Sequence, residues 1–242
     1  MQDTRSRQAR HSRRARPRGA WRQRHPSDGQ PLPHGGAIRV IGPTDGHIVI
    51  CLGGGTYRDV PGQWSPSMEW LTGRLASALP EMGYVQVRYR ASSWRALDGL
   101  LRDAQDAITA TRERGAQRIT LMGFSAGGAT ALAAAGHDGL SEVIGLAPWI
   151  PDQMDLSHLA GTRIQVIHGS WDGYRWWLPG VSPHHSLAGV ARLQVAGADA
   201  THRVIDGAVH GIAIRCCGRH IPLVKAARWE CAVVDALMKA SQ

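Results

Sequence analysis

Residues 118–136 read RITLMGFSAGGATALAAAG, and this stretch decides how the rest of the chain is read. Ile119, Leu121 and Met122 form a short apolar run bounded by Arg118 and Gly123, the pattern of a strand covered on both faces. Ala and Gly dominate from Ala126 to Gly136, which suits a helix packed closely on a sheet and stopped by glycine. Between strand and helix lies Gly123-Phe124-Ser125-Ala126-Gly127, a G-x-S-x-G turn. A serine on so sharp a turn needs small residues two positions away on either side, and the hydroxyl is then left exposed. The helix that follows points its free N–H groups and the positive end of its dipole at any oxyanion formed beside Ser125. That arrangement favours acyl transfer.

Working outward, the chain alternates strands and helices. Residues 37–41 and 47–52 read as short β-branched strands, the second followed by Gly53-Gly54-Gly55. Glycines at that place let backbone N–H groups approach a ligand, and the absence of a following G-K-[ST] argues against a phosphate loop. A helix is expected over 67–81, capped by Ser65 or Ser67 and disturbed at its end by Pro80. A strand over 84–89 and a helix from Trp94 to Gly115 lead to the central turn. Further strands are expected at 143–147, 164–167 and 202–205, with helices at 184–195 and 223–238. The pattern predicts a doubly wound, mostly parallel α/β sheet with helices on both faces. The fifteen residues 148–162 can hold one short helix, so little or no lid is expected.

A serine hydroxyl becomes a useful nucleophile when a base takes its proton, and that base needs a carboxylate to fix its tautomer. His168-Gly169-Ser170-Trp171-Asp172 follows one predicted strand, and Asp206-Gly207-Ala208-Val209-His210 follows the last. Ser125, Asp172 and His210 are thereby expected at one edge of the sheet. Asp199, expected in the turn before the last strand, and Asp206, four residues before His210, are the weaker candidates for the acid.

The chain resembles the α/β-hydrolase superfamily from about His47 to its C-terminus, with GGG, GFSAGG, HGSWD and DGAVHG in the order Ser, Asp, His. The resemblance implies Ser125 as nucleophile, His210 as base, Asp172 as orienting acid, and an oxyanion hole from the N–H of Ala126 and that of Gly54 or Gly55. Leu52 departs from the pattern, since lipase-like and esterase-like members often carry His before the glycines. Trp149, Trp171, Trp176 and Trp177 all follow predicted strand ends and are candidate walls of a substrate pocket, or ordinary packing. His168 is expected to support the Asp172 loop.

Composition bounds the rest. The formal charge of +9 is concentrated in residues 1–30, where nine Arg face Asp3 and Asp28, leaving 19 basic and 17 acidic residues downstream. Residues 1–36 are expected to be a disordered Arg-rich tail, and residues 37–242 one catalytic domain. The near-neutral body argues against nucleic-acid binding, and a solvated extension is the favoured reading of the tail. Cys51, Cys216, Cys217 and Cys231 do not make a disulfide framework, and C-C-x-x-H at Cys216–His220 lacks a second zinc-ligand pair. No signal peptide or membrane span is expected, so a cytoplasmic serine hydrolase is anticipated, acting on a small-molecule ester without metal or cofactor. A peptidase or thioesterase of the same fold, or a noncatalytic binding protein, are the alternatives.

Overall fold

The structure is a computed structural model, and it describes residues 29–93, 95–136, 139–173 and 180–240. The strands are β1 (Gln30–Pro31), β2 (Ala37–Ile41), β3 (Gly46–Leu52), β4 (Val60–Pro61), β5 (Gly83–Arg88), β6 (Ala91–Ser92), β7 (Ala116–Phe124), β8 (Glu142–Leu146), β9 (Arg163–Gly169), β10 (Asp199–Ile205), β11 (Ala213–Cys216) and β12 (Arg219–Pro222). The helices are α1 (Pro66–Ala78), α2 (Leu97–Arg112), α3 (Ala126–Ala134), α4 (Pro183–Val195) and α5 (Ala226–Ala240).

Eight strands form one sheet in the order β1-β2-β5-β3-β7-β8-β9-β10. From β5 to β10 every pairing is parallel, while β1 with β2 and β2 with β5 are antiparallel. Because side chains alternate across a strand, β3 sorts its residues by parity. Ile48, Ile50 and Leu52 enter one core with α2, α3 and α4, and Val49 and Cys51 enter the other with α1 and α5. The chain moves from β3 to β5 in one direction and then crosses back to β7 on the far side of β3. Crossovers of one hand, taken in opposite directions, put α1 on one face and α2 and α3 on the other. The strand order reverses between β3 and β7, and in sheets of this kind ligands bind outside the carboxyl ends of the strands at such a reversal.

At the opposite ends of the strands Glu142 ties three of them together. Its carboxylate, mostly buried, accepts from Thr120 Oγ1 at 3.0 Å, Arg118 Nε at 3.1 Å and Arg163 Nη1 at 3.4 Å. A buried carboxylate is tolerated because it is matched in charge and hydrogen bonding.

Several expectations are adjusted. Residues 29–36, assigned to the tail, belong to the fold: β1 pairs with β2, Leu32 is buried in the core, and His34 Nδ1 lies 2.9 Å from Asp106. One well-placed apolar residue and the hydrogen bonds of His34 to Asp106 anchor a segment that composition alone marks as polar. Residues 1–28, which hold the rest of the expected tail, lie outside the described residues. Asp199 is not in a turn but begins β10, beside Arg163 on β9. The β11–β12 hairpin was not foreseen, because its residues, AIRC and RHIP, alternate too briefly to register as strands. The connection between β8 and β9 holds a single 3-10 turn at Ser157–Leu159, as the short spacing led us to expect. Helix α1 begins after Ser65, whose hydroxyl accepts from Met68 N, and it ends before Pro80.

Candidate active site

Ser125 sits between β7 and α3 with φ +54° and ψ −118°, a backbone conformation that costs a non-glycine residue about 1–3 kcal/mol. The neighbours hold it there. Its N–H donates to Leu146 O at 2.9 Å, and its carbonyl accepts from Gly128 N at 2.9 Å and Trp149 N at 3.0 Å. The glycines of the turn are required by packing: a Cβ on Gly123 would lie 2.1 Å from Gly127 O, and one on Gly127 2.3 Å from Leu52 O. The elbow is therefore pressed directly onto the end of β3. The Ser125 hydroxyl makes no capping bond to α3.

Gly54 flanks the serine, since a Cβ there would meet Ser125 Cβ at 3.4 Å and the Phe124 ring at 3.3 Å. Ala126 is the first residue of α3, so its N–H has no carbonyl one turn back to bond. The positions expected to supply oxyanion donors thus sit on the two segments that meet at Ser125. Gly55 follows Gly54 on the same half-exposed loop.

Asp172 and His210 come from the loops after β9 and β10. These loops are bound to each other by Ser170 N→Ile205 O at 3.0 Å and Trp171 N→Ala208 O at 2.9 Å. Gly169 permits that contact, because a Cβ there would fall 2.4 Å from Ala208 O. His210 Nδ1 donates to Asp172 Oδ2 at 2.6 Å, and the Asp172 side chain is fully buried. The His210 ring lies against Phe124, with centroids 4.9 Å apart, which brings it beside the residue next to the serine. The structure thus gathers Ser125, Asp172 and His210, drawn from three separate strand ends, at the carboxyl edge of one sheet. The competing acids do not join them: Asp206 accepts from Ser170 Oγ at 3.1 Å, and Asp199 is exposed beside Arg163.

The Asp172 carboxylate has two further partners. Val181 N donates to Oδ1 at 3.1 Å, and the fully buried His168 places Nε2 3.0 Å from Oδ2 and 2.7 Å from Val181 O. Burial alone would push the Asp172 carboxyl up, but hydrogen bonds from His168 and His210 help to more than offset it and hold it below its ordinary value. His168 was expected to support this loop. Its direct bond to the carboxylate follows from the i,i+4 spacing across the β9 turn. Gly180 is a participant the sequence reading did not single out. A Cβ at this position would lie 2.2 Å from Asp172 Oδ1, so only glycine lets the Val181 N–H reach the acid.

The tryptophans divide. Trp171, just before Asp172, is about half exposed. Trp149 is half-buried and packs against the core on the α2–α4 face. Trp176 and Trp177 lie outside the described residues. Among the described residues no group of three or more His, Cys, Asp or Glu is arranged to hold a metal ion, and no helix is long and apolar enough to cross a membrane.

Solved structures share this architecture. A hyperthermophilic esterase from the archaeon Pyrobaculum calidifontis superposes with a TM-score of 0.62 at 17% identity, over 87% of this chain and 84% of that one. The chain has the α/β-hydrolase fold. The carboxylesterase Cest-2923 of Lactobacillus plantarum shares this hydrolase fold with a TM-score of 0.61 at 18% identity, covering 87% of this chain and 94% of its own. Est1E of Butyrivibrio proteoclasticus, solved with ferulic acid bound, gives 0.62 at 13% identity, over 85% of this chain and 95% of that one. No protein-family model matches the sequence, and neither does any curated protein.

Proposed function

We propose that the protein is a serine hydrolase that cleaves small carboxylic esters through an acyl-enzyme intermediate. The observation that carries this reading is the 2.6 Å bond between His210 Nδ1 and the buried Asp172 carboxylate, made at the same sheet edge as the strained Ser125 turn. With Nδ1–H committed to Asp172, the His210 proton lies on that nitrogen, and Nε2 is left with the lone pair a base requires. Nε2 takes the Ser125 proton as Oγ attacks the ester carbonyl. Backbone N–H groups at Ala126 and the Gly54–Gly55 loop receive the negative charge on the former carbonyl oxygen. The imidazolium then protonates the departing alkoxide, leaving Ser125 acylated. Water, deprotonated by the same nitrogen, attacks the acyl carbon and releases the acid and the free serine. Asp172 stays ionised throughout, because His168 and Val181 solvate it inside the protein.

The neighbours named as esterases support an ester over an amide or thioester as substrate. The short connection after β8 supports a small acyl group. A fluorophosphonate probe tests the reading: it should label the wild type on Ser125, and Ser125→Ala should lose both labelling and hydrolysis of p-nitrophenyl acetate while its melting temperature stays within a few degrees. Labelling retained in Ser125→Ala, or a rate reduced only a few-fold, would move the nucleophile elsewhere.

A further inference from the structure

The β11–β12 hairpin closes through Cys217 and Gly218, with Cys216 paired to Arg219. Both turn residues have positive φ, +47° at Cys217 and +74° at Gly218, the pattern of a type I′ turn. Asn, Asp or Gly is favoured at the first of these positions, and cysteine is carried there at a cost of roughly 1 kcal/mol. The conformation has a chemical consequence. Consecutive side chains on a strand point to opposite faces, but the left-handed turn swings Cys217 back toward Cys216, and the two Sγ atoms lie 3.7 Å apart. Both thiols are free and exposed.

The base of the hairpin is held firmly. Ser67 Oγ on α1 accepts from Ile212 N at 3.0 Å and Ala213 N at 3.2 Å, and donates to Ala213 O. Glu69 on α1 is bonded to Arg215 and, at 2.9 Å, to His220 Nε2. His220 is thus engaged, and among the described residues no third metal-type ligand joins the cysteines.

We infer that Cys216 and Cys217 form a two-sulfur chelating site for soft, thiophilic centres that need only two protein donors, trivalent organoarsenicals being the chemical class. A pyramidal trivalent arsenic that holds two sulfurs at about 2.3 Å, with angles near 95–100°, needs them roughly 3.4–3.5 Å apart, a few tenths of an ångström inside the 3.7 Å already present and within reach of a small side-chain rotation. A structural zinc would take four side chains, and this turn offers two. A disulfide would require the sulfurs to close to about 2.05 Å across adjacent Cα atoms, whose separation of about 3.8 Å is below the usual disulfide range. The pair is therefore preset for chelation rather than oxidation. With an organoarsenous oxide, two As–S bonds replace the As=O bond, and the oxygen leaves as water with both thiol protons. Arsenic stays trivalent and no oxidant is needed. The inference does not rest on the hydrolase reading.

The test uses the full chain, kept reduced and titrated with phenylarsine oxide, with intact-mass and peptide mass spectrometry as readouts. One phenylarsenic per chain is expected, bridging Cys216 and Cys217, removed by a small dithiol and resistant to a monothiol. Cys216→Ser and Cys217→Asn should each weaken binding by about 10²-fold or more through loss of the chelate. Asn suits the turn, so Cys217→Asn removes the sulfur without unfolding the hairpin. Cys231→Ser should bind as the wild type does. Wild-type affinity in either hairpin variant, an adduct on Cys231, no adduct at all, or a stable Cys216–Cys217 disulfide formed in place of the adduct would overturn the inference.

Discussion

Replacing Asp172 with Asn changes shape little and chemistry a great deal. The carboxylate takes three donors: His210 Nδ1 at 2.6 Å, His168 Nε2 at 3.0 Å and Val181 N at 3.1 Å. An amide has one oxygen. If that oxygen stays toward Val181, the NH2 faces His210 and turns the imidazole to the tautomer with its proton on Nε2, which cannot accept from Ser125. If the amide flips, Val181 N–H loses its acceptor in a fully buried place. The buried Val181 N–H that the flip would orphan favours the first orientation, and in it kcat/KM for p-nitrophenyl acetate should fall about 10⁴-fold, or roughly 5.4 kcal/mol of barrier. The stability loss is smaller, about 1.5–3 kcal/mol for one charge-assisted hydrogen bond, because removing a buried charge also removes its desolvation cost. The pH dependence carries a sign. A carboxyl held below its ordinary value when folded contributes stability that is present above about pH 4 and is lost as pH falls through the folded value. Wild type should therefore lose this part of its stability in acid, and Asp172→Asn should not. Activity within tenfold of wild type, fluorophosphonate labelling at the wild-type rate, or an unchanged acid limb in chemical denaturation would refute the reasoning.

Gly127→Ala should destabilise the fold by about 3 kcal/mol or more, since its Cβ would lie 2.3 Å from Leu52 O and 2.4 Å from Gly53 O, both backbone atoms; a melting temperature within two degrees of wild type would contradict the tight packing of elbow on strand. Across acetyl, butyryl, octanoyl and palmitoyl esters, kcat/KM should stop rising at a short chain, because a methylene that finds an apolar pocket adds about 0.8 kcal/mol and one that finds none adds nothing; a maximum at palmitoyl with a jump at the micelle threshold would rule this out. Deleting residues 1–28 should leave kcat/KM for a neutral ester within about twofold, whereas a cut at residue 36 should lower stability by removing the buried Leu32 and the His34–Asp106 pair. Equal melting temperatures for the two deletions would show that residues 29–36 anchor nothing.

The α/β alternation, the strand-turn-helix at Ser125 and the placement of Asp172 and His210 after strands were legible in the sequence, because each is a local pattern. Apolar runs, glycine spacing and helical periodicity are set by residues a few positions apart. That Asp172 rather than Asp206 would be the carboxylate against His210 was also legible, since Asp206 stands only four residues before His210, whereas Asp199 was set aside for a turn position that it does not occupy. Other features escaped the reading because their causes lie far apart in the chain. Leu32 is held by the distant core on the α2–α4 face, and the β11–β12 hairpin by Ser67 and Glu69, more than 140 positions away. Gly180 matters because of a carboxylate eight residues earlier, in a contact that no periodicity reports. The sequence by itself determined which groups of the candidate site stand at the ends of strands. Only the tertiary structure decided which of those groups touch, because strand order is settled by the packing of both sheet faces at once, and that packing presses Gly127 onto β3, Gly169 onto the His210 loop, and His210 against the ring of Phe124.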